Sequence, residues 1–276
     1  MREEVIRITG SMPGPTSVIL AGVHGNEPCG LQAFEELFVQ DGLKIEWGTV
    51  FLVVGNPNAV AKNMRFTEFD LNRAFMAPSA YYEWHKHTYE YHRAGYLKSY
   101  LDEAGALLDI HSSDTPESKP FAICEQNGIF IAEKLPVEII VSGFDQVCPG
   151  GTDEYMNRAG RIGVCVECGH HEDPSVVSKA SLAIFGFLHA RGHITLVEDE
   201  MDIISKERVQ IEEIYHTTAS GFKRAREWKD FEPVNKGEII GHDGDVEVTA
   251  KKDGLILFAD DCDGVGKEAF YFGCYC

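Results

Sequence analysis

Ser17-Val-Ile-Leu-Ala-Gly22-Val-His24-Gly-Asn-Glu27 decides how the chain is read. Its opening run is short, apolar on both faces and closed by Gly22, which predicts a strand buried inside a sheet. The turn that follows carries an imidazole and a carboxylate three residues apart. Similar runs recur at Val50–Val54, Ala106–Ile110, Phe121–Cys124, Glu138–Val141 and Gly163–Glu167. Between them Leu31, Phe34, Leu37 and Phe38 repeat at helical spacing, as do Tyr81, His85, Tyr89, His92 and Tyr96. Asp173-Pro174 opens a further predicted helix through Val177, Ala180, Ile184, Phe187 and Leu188, ending near Gly192. Strand–helix alternation predicts an α/β fold with a mixed sheet layered by helices.

After Gly192 the pattern changes. His193–Val197 reads as a strand, and short strand-like runs follow at Val209–Tyr215, Glu238–Ile240, Asp245–Thr249, Gly254–Ala259 and Ala269–Tyr275. No helical period persists, so residues 198–276 are expected to form a small all-β domain behind a catalytic α/β domain at residues 1–197.

The chain has 276 residues, with 25 basic and 44 acidic side chains and a formal charge of −19. Hydrophobic residues make up 44% and charged residues 25%, the balance of a globular protein large enough to enclose a cleft. This acidity argues against nucleic acid and against an anionic membrane surface as partners. A small anionic substrate stays open, because a few arginines can invert the field inside one pocket. Met1–Gly10 carries charges where a secretory leader has an apolar run, and nothing approaches the ~18 apolar residues of a membrane span. Eight scattered cysteines read as reduced thiols, which points to the cytoplasm.

Three clusters carry chemistry. His24 and Glu27 can reach one ion across a strand-to-helix turn, and His111, in Leu108-Asp-Ile-His111, ends a second buried run at the rim where open α/β sheets bind ligands. Two histidines and one glutamate with an open position are the ligand set of a hydrolytic zinc site. Asp109, two residues before His111, could orient its imidazole or cap a neighbouring element. In the second cluster, Arg65, Asn72 and Arg73 follow the Val50–Val54 strand to the same rim. The guanidinium forks of Arg65 and Arg73 suit a carboxylate, although, taken alone, pairing with surface acids explains them better. In the third, Glu167 ends an apolar strand, where a carboxylate must be paired, ligating or at the rim. It is placed as a general base. Cys165 and Cys168 lie on or after a strand with no second pair, which disfavours redox or structural-zinc roles. His85, His87 and His92 read as packing residues, while His170 and His171 follow Glu167 closely enough to border a pocket.

His24-Gly-Asn-Glu27, Asp70-Leu-Asn-Arg73, Asp109-Ile-His111 and Val166-Glu-Cys-Gly169 resemble, in order and spacing, the succinylglutamate desuccinylase/aspartoacylase family. These are zinc deacylases related to the metallocarboxypeptidases. The resemblance spans roughly residues 17–276 and implies a zinc carboxypeptidase-like α/β fold. It implies one zinc ion on His24, Glu27 and His111, a substrate carboxylate on Asn72 and Arg73, oxyanion stabilisation by Arg65 and proton transfer by Glu167. Arg158 with Tyr155 resembles the segment that holds an acyl-side carboxylate. Gly266-Lys-Glu-Ala-Phe270 resembles the end of the family's β-domain. Asp263-Gly-Val-Gly266 stands where aspartoacylase has a substrate-contacting Tyr, which directs the reading away from N-acetylaspartate. The implied activity is hydrolysis of an amide or ester bond in a small carboxylate-bearing N-acyl amino acid. A carboxypeptidase-like peptidase and a non-catalytic zinc-containing binding module are the alternatives, and homo-oligomerisation is left open.

Overall fold

The computed structural model describes residues 4–39, 42–196 and 206–276. Its strands are β1 (Val5–Thr9), β2 (Met12–Ala21), β3 (Trp47–Val54), β4 (Ala106–Ser113), β5 (Phe121–Cys124), β6 (Ile139–Ser142), β7 (Ile162–His170), β8 (Glu207–His216), β9 (Gly221–Arg224), β10 (Glu232–Val234), β11 (Ile239–Asp243), β12 (Val246–Thr249), β13 (Gly254–Leu257), β14 (Cys262–Asp263) and β15 (Glu268–Tyr275). Among the described residues eleven of them form one mixed sheet in the order β1-β3-β2-β4-β7-β5-β6-β8-β15-β13-β10. Strands β3, β2, β4 and β7 run parallel, and β1 and β5 flank them antiparallel. Strand β8 joins β6 in parallel and carries β15, β13 and β10 on antiparallel pairings. A second, all-antiparallel sheet has the order β12-β11-β9-β14. The fold is therefore a mixed α/β sheet with helices followed by all-β structure.

Alternation along the central strands explains the layers. Ile19, Ala21, Leu108, Ile110, Val164 and Val166 face one side, buried with Phe34 of the helix Cys29–Val39 and with Ala180, Ile184 and Phe187 of the helix Val176–Ala190. Val18, Leu20 and Leu107 face the other side, under Ala94, Leu97 and Leu101 of the helix Tyr89–Leu101 and Met156 of the helix Thr152–Arg158. Farther along that second face, Asp109 and His111 of β4 and Glu167 of β7 replace apolar residues. A cluster of Phe121, Val141, Ile211, Leu257 and Tyr271 buries the junction between the early and late strands.

Two expectations need correction. His193–Leu196 is not a strand: the His193 carbonyl accepts from the Glu46 and Trp47 amides, and its ring bonds the Ser17 hydroxyl and the Trp47 carbonyl, so this segment caps the sheet. Val197 and the boundary between residues 197 and 198 lie outside the described residues. The helical period from Tyr81 to Tyr96 is broken, because the Thr88 hydroxyl accepts from the Tyr91 amide and starts a helix there, leaving Glu83–His87 as a 3-10 turn. Strand β1, with its half-exposed side chains, was not anticipated. No described helix is long and apolar enough to cross a membrane.

Candidate active site

Strand β2 ends at Ala21, and Gly22 adopts φ +67°, a left-handed turn that glycine takes without penalty. This turn delivers Val23 to the core and His24 to the rim. Gly25 presses its backbone against Ala59 and Val60, and a Cβ there would sit inside the envelope of the Ala59 carbonyl. Gly25→Ala is expected to destabilise the fold by roughly 3 kcal/mol, a fall in Tm of about 6–10 °C, because backbone rather than a flexible side chain must move. An unchanged melting curve would show that the loop adapts freely.

His24, Glu27 and His111 converge. The two Glu27 oxygens lie 2.7 Å from His24 Nδ1 and 2.8 Å from His111 Nδ1, and one donor atom from each residue lies within 4.8 Å of the others. All three side chains are buried. The opposite ring nitrogens also face carboxylates: His24 Nε2 is 3.3 Å from Asp70 Oδ1, and His111 Nε2 is 3.3 Å from Asp109 Oδ2. Asp109 accepts a 2.5 Å hydrogen bond from the Thr152 hydroxyl, and Asp70 also pairs with Arg65 at 3.3 Å. Metal-binding imidazoles are ordinarily held by such outer carboxylates.

The electrostatics favour positive charge at this point. Burial pushes both imidazoles toward neutrality, but Glu27 and Asp70 hold His24 above the usual histidine range, and Asp109, Cys165 and Glu27 hold His111 well above it. Burial likewise raises Glu27, and His24 and His111 outweigh it, so its carboxyl lies well below the ordinary range. Asp109 Oδ1 and Glu167 Oε2 are buried without a hydrogen-bond partner. Uncompensated buried polar atoms around a His–Glu–His cluster fit a divalent cation.

Glu167 stands beside this cluster because β7 pairs with β4 in register, His111 opposite Glu167. Partners in register point to the same face. Burial, reinforced by Glu27 and opposed by His111 and His24, raises the Glu167 carboxyl to about 7. Arg65, half-exposed, reaches within 3.6 Å of Glu27.

These groups open into a cavity of about 760 Å³. His24, Glu27, Arg65, Asn72, Arg73, His111 and Glu167 all line it. Its far wall comes from the late strands and the loops beside them, through Arg224, Trp228, Phe258, Glu268 and Tyr271. Asn72 Oδ1 accepts from the Thr152 amide, which ties it to the helix that holds Asp109. Arg158 and Tyr155 are not brought to the cavity. Arg158 folds back on Glu154, one helical turn earlier, and on the Phe75 carbonyl, while the Tyr155 hydroxyl donates to Asp102. Among the residues not foreseen, Asp70 had a signal, since it opens Asp70-Leu-Asn-Arg73 and its carboxylate accepts from the Asn72 amide. Thr152 and Tyr271 had none.

Asp145, on the same lining, accepts from Asn157 and has no cationic partner among the described residues; burial and the nearby Asp153 push it to about 7. A carboxyl raised on folding contributes full stability below its unfolded value, and that contribution is lost as pH rises toward the folded value. Asp145→Asn is therefore expected to melt higher than the wild type by a margin that is small near pH 4, widens to pH 7 and is then level. A margin independent of pH in thermal melts would refute the assignment.

The family model for the succinylglutamate desuccinylase/aspartoacylase catalytic domain matches residues 13–187. Two curated relatives are probable aspartoacylases of Prochlorococcus marinus. The protein of strain MIT 9301 is 33% identical over 195 residues, and that of strain MIT 9215 is 26% identical over 191 residues. Each alignment covers 60% of this chain and 59% of the relative, so the chain matches under two thirds of their length. In fold, the chain superposes on a succinylglutamate desuccinylase from Vibrio cholerae with a TM-score of 0.82 at 16% identity, over 99% of this chain and 85% of that one. The same fold is shared with a succinylglutamate desuccinylase/aspartoacylase from Rhodobacter sphaeroides, at a TM-score of 0.71, 20% identity, and 99% and 88% coverage. With the matched region covering most of the chain and holding all of His24, Glu27, Asn72, Arg73, His111 and Glu167, the protein belongs to the succinylglutamate desuccinylase/aspartoacylase family of deacylase hydrolases.

Proposed function

We propose that this protein is a zinc-dependent deacylase that hydrolyses an amide or ester bond in a small, carboxylate-bearing N-acyl amino acid. The observation that carries the reading is the convergence of His24, Glu27 and His111 beside Glu167 in one cavity. His24, Glu27 and His111 would hold the ion, with Asp70 and Asp109 fixing the two rings. When bound there, zinc supplies Lewis-acid chemistry, acidifying water and polarising a carbonyl. Glu167 holds and moves the proton: its Oε2 has no partner, and a carboxyl near 7 both accepts and returns a proton at neutral pH. Arg65 presents a fixed positive charge at the cavity mouth, where it would meet the developing oxyanion. Arg73 and Asn72 would orient the substrate carboxylate.

In this proposal residues 1–197 carry the chemistry, residues 198–276 supply the opposite wall, and the setting is the cytoplasm, as the scattered cysteines suggest. The cavity is sized for a small molecule, which favours a deacylase over a peptidase with an open groove. Arg158, paired with Glu154, is not among the residues that line the cavity, so no second substrate carboxylate is assigned to it. The test is a hydrolysis screen of N-acetyl and N-succinyl amino acids with and without chelator, coupled to metal analysis. Chelator-sensitive release of a free amino acid is expected. Metal-dependent ligand binding with no hydrolysis across the panel would instead make the protein a binding module.

A further inference from the structure

Arg73 lines the cavity, yet its fork is already filled from the other end of the chain. Its Nε donates to Glu268 Oε1 at 3.1 Å and its Nη2 to Glu268 Oε2 at 2.8 Å, a bidentate pair. Nη2 also donates to the Tyr271 hydroxyl at 3.3 Å, and Nη1 donates to the Asn72 carbonyl at 2.9 Å. A guanidinium has five N–H donors, and four are used here, which leaves a single Nη1 hydrogen for a ligand. Tyr271, buried on β15, donates to Glu268 Oε2 at 2.7 Å and so holds the carboxylate in place. Glu268, Tyr271 and Arg73 all line the cavity.

We propose that Glu268 is a specificity-determining residue: an internal carboxylate that occupies the fork of Arg73, so that a ligand carboxylate binds there only by displacing it. The inference rests on the deacylase reading for its substrate, but the contacts themselves do not. Its physical content is a competition between two carboxylates for one guanidinium. The internal one has the advantage of being tethered, which sets a threshold that weakly held carboxylates do not pass. Carboxylate affinity at Arg73 is then tuned from β15, about two hundred residues away in sequence, without any change near the cation site.

The test is calorimetric titration of the full-length protein with succinate and with succinamate, which differ by one carboxylate. Wild type is expected to discriminate weakly, within about threefold. Glu268→Gln keeps the shape but removes the competing charge, and should bind succinate about tenfold more tightly with succinamate nearly unchanged. Tyr271→Phe, which loosens the Glu268 carboxylate without removing it, should fall between, and it serves if Glu268→Gln does not fold. A wild type that already prefers succinate by tenfold or more, with that preference lost in Glu268→Gln, would show that Glu268 orients Arg73 rather than occupying it. Failure of a folded Glu268→Gln to bind succinate would also overturn the proposal. Because the readout is binding, a chain that hydrolyses nothing yet shows the switch retires the deacylase reading and leaves this one standing; hydrolysis without the switch does the reverse.

Discussion

His24→Ala is expected to yield a protein whose metal content is near zero and whose turnover is lower by on the order of 10⁴-fold, the several kcal/mol that a metal ordinarily contributes to such hydrolysis. Both effects follow from the same geometry. Glu27 bridges two buried imidazoles at 2.7 and 2.8 Å, and removing one leaves a two-residue set that does not hold a cation. Asp70, deprived of its imidazole, keeps its ion pair with Arg65. The companion variant Asp70→Asn leaves the donors in place and should weaken metal affinity by about 10–100-fold without abolishing it. Metal analysis of the purified proteins decides the matter. Full occupancy in His24→Ala would remove His24 from the ligand set.

Glu167→Gln is expected to separate metal from turnover. The amide fits the same space on β7, so metal content stays at the wild-type level while kcat falls by about 10³-fold, within the range for loss of a positioned acid–base group. The carboxyl owes its raised value of about 7 chiefly to burial. An amide in the same surroundings cannot take the proton at all. Near-wild-type turnover would end the proton-transfer role, and loss of metal along with turnover would make Glu167 part of the cation site instead. Single-turnover kinetics beside metal analysis distinguishes these outcomes.

Much of this was legible in the sequence, for local reasons. The six early strands declare themselves because each is a short apolar run between breakers, and the central ones are buried on both faces. The helix after Asp173 was legible too, although it begins at Val176: the Asp173 carboxylate accepts from the Ser175 amide and hydroxyl, so the turn precedes the helix. His24 and Glu27 were legible as a pair within one turn, and His111 as a polar residue ending a buried strand. What escaped depends on distance along the chain. Asp70 meets His24 across 46 residues, Thr152 meets Asp109 across 43, and Glu268 meets Arg73 across 195. Arg158 shows the converse: motif order placed it at the substrate, but an acidic neighbour one turn away on its own helix holds it elsewhere.

The parallel pairing of β6 with β8 has a mechanical result. It joins the late strands to the sheet that bears Glu167, so the cavity's two sides are written in separate stretches of one polymer yet share one continuous sheet. Substitutions in the late stretch can therefore alter the cavity's lining while the pairing that sets His111 beside Glu167 stays untouched.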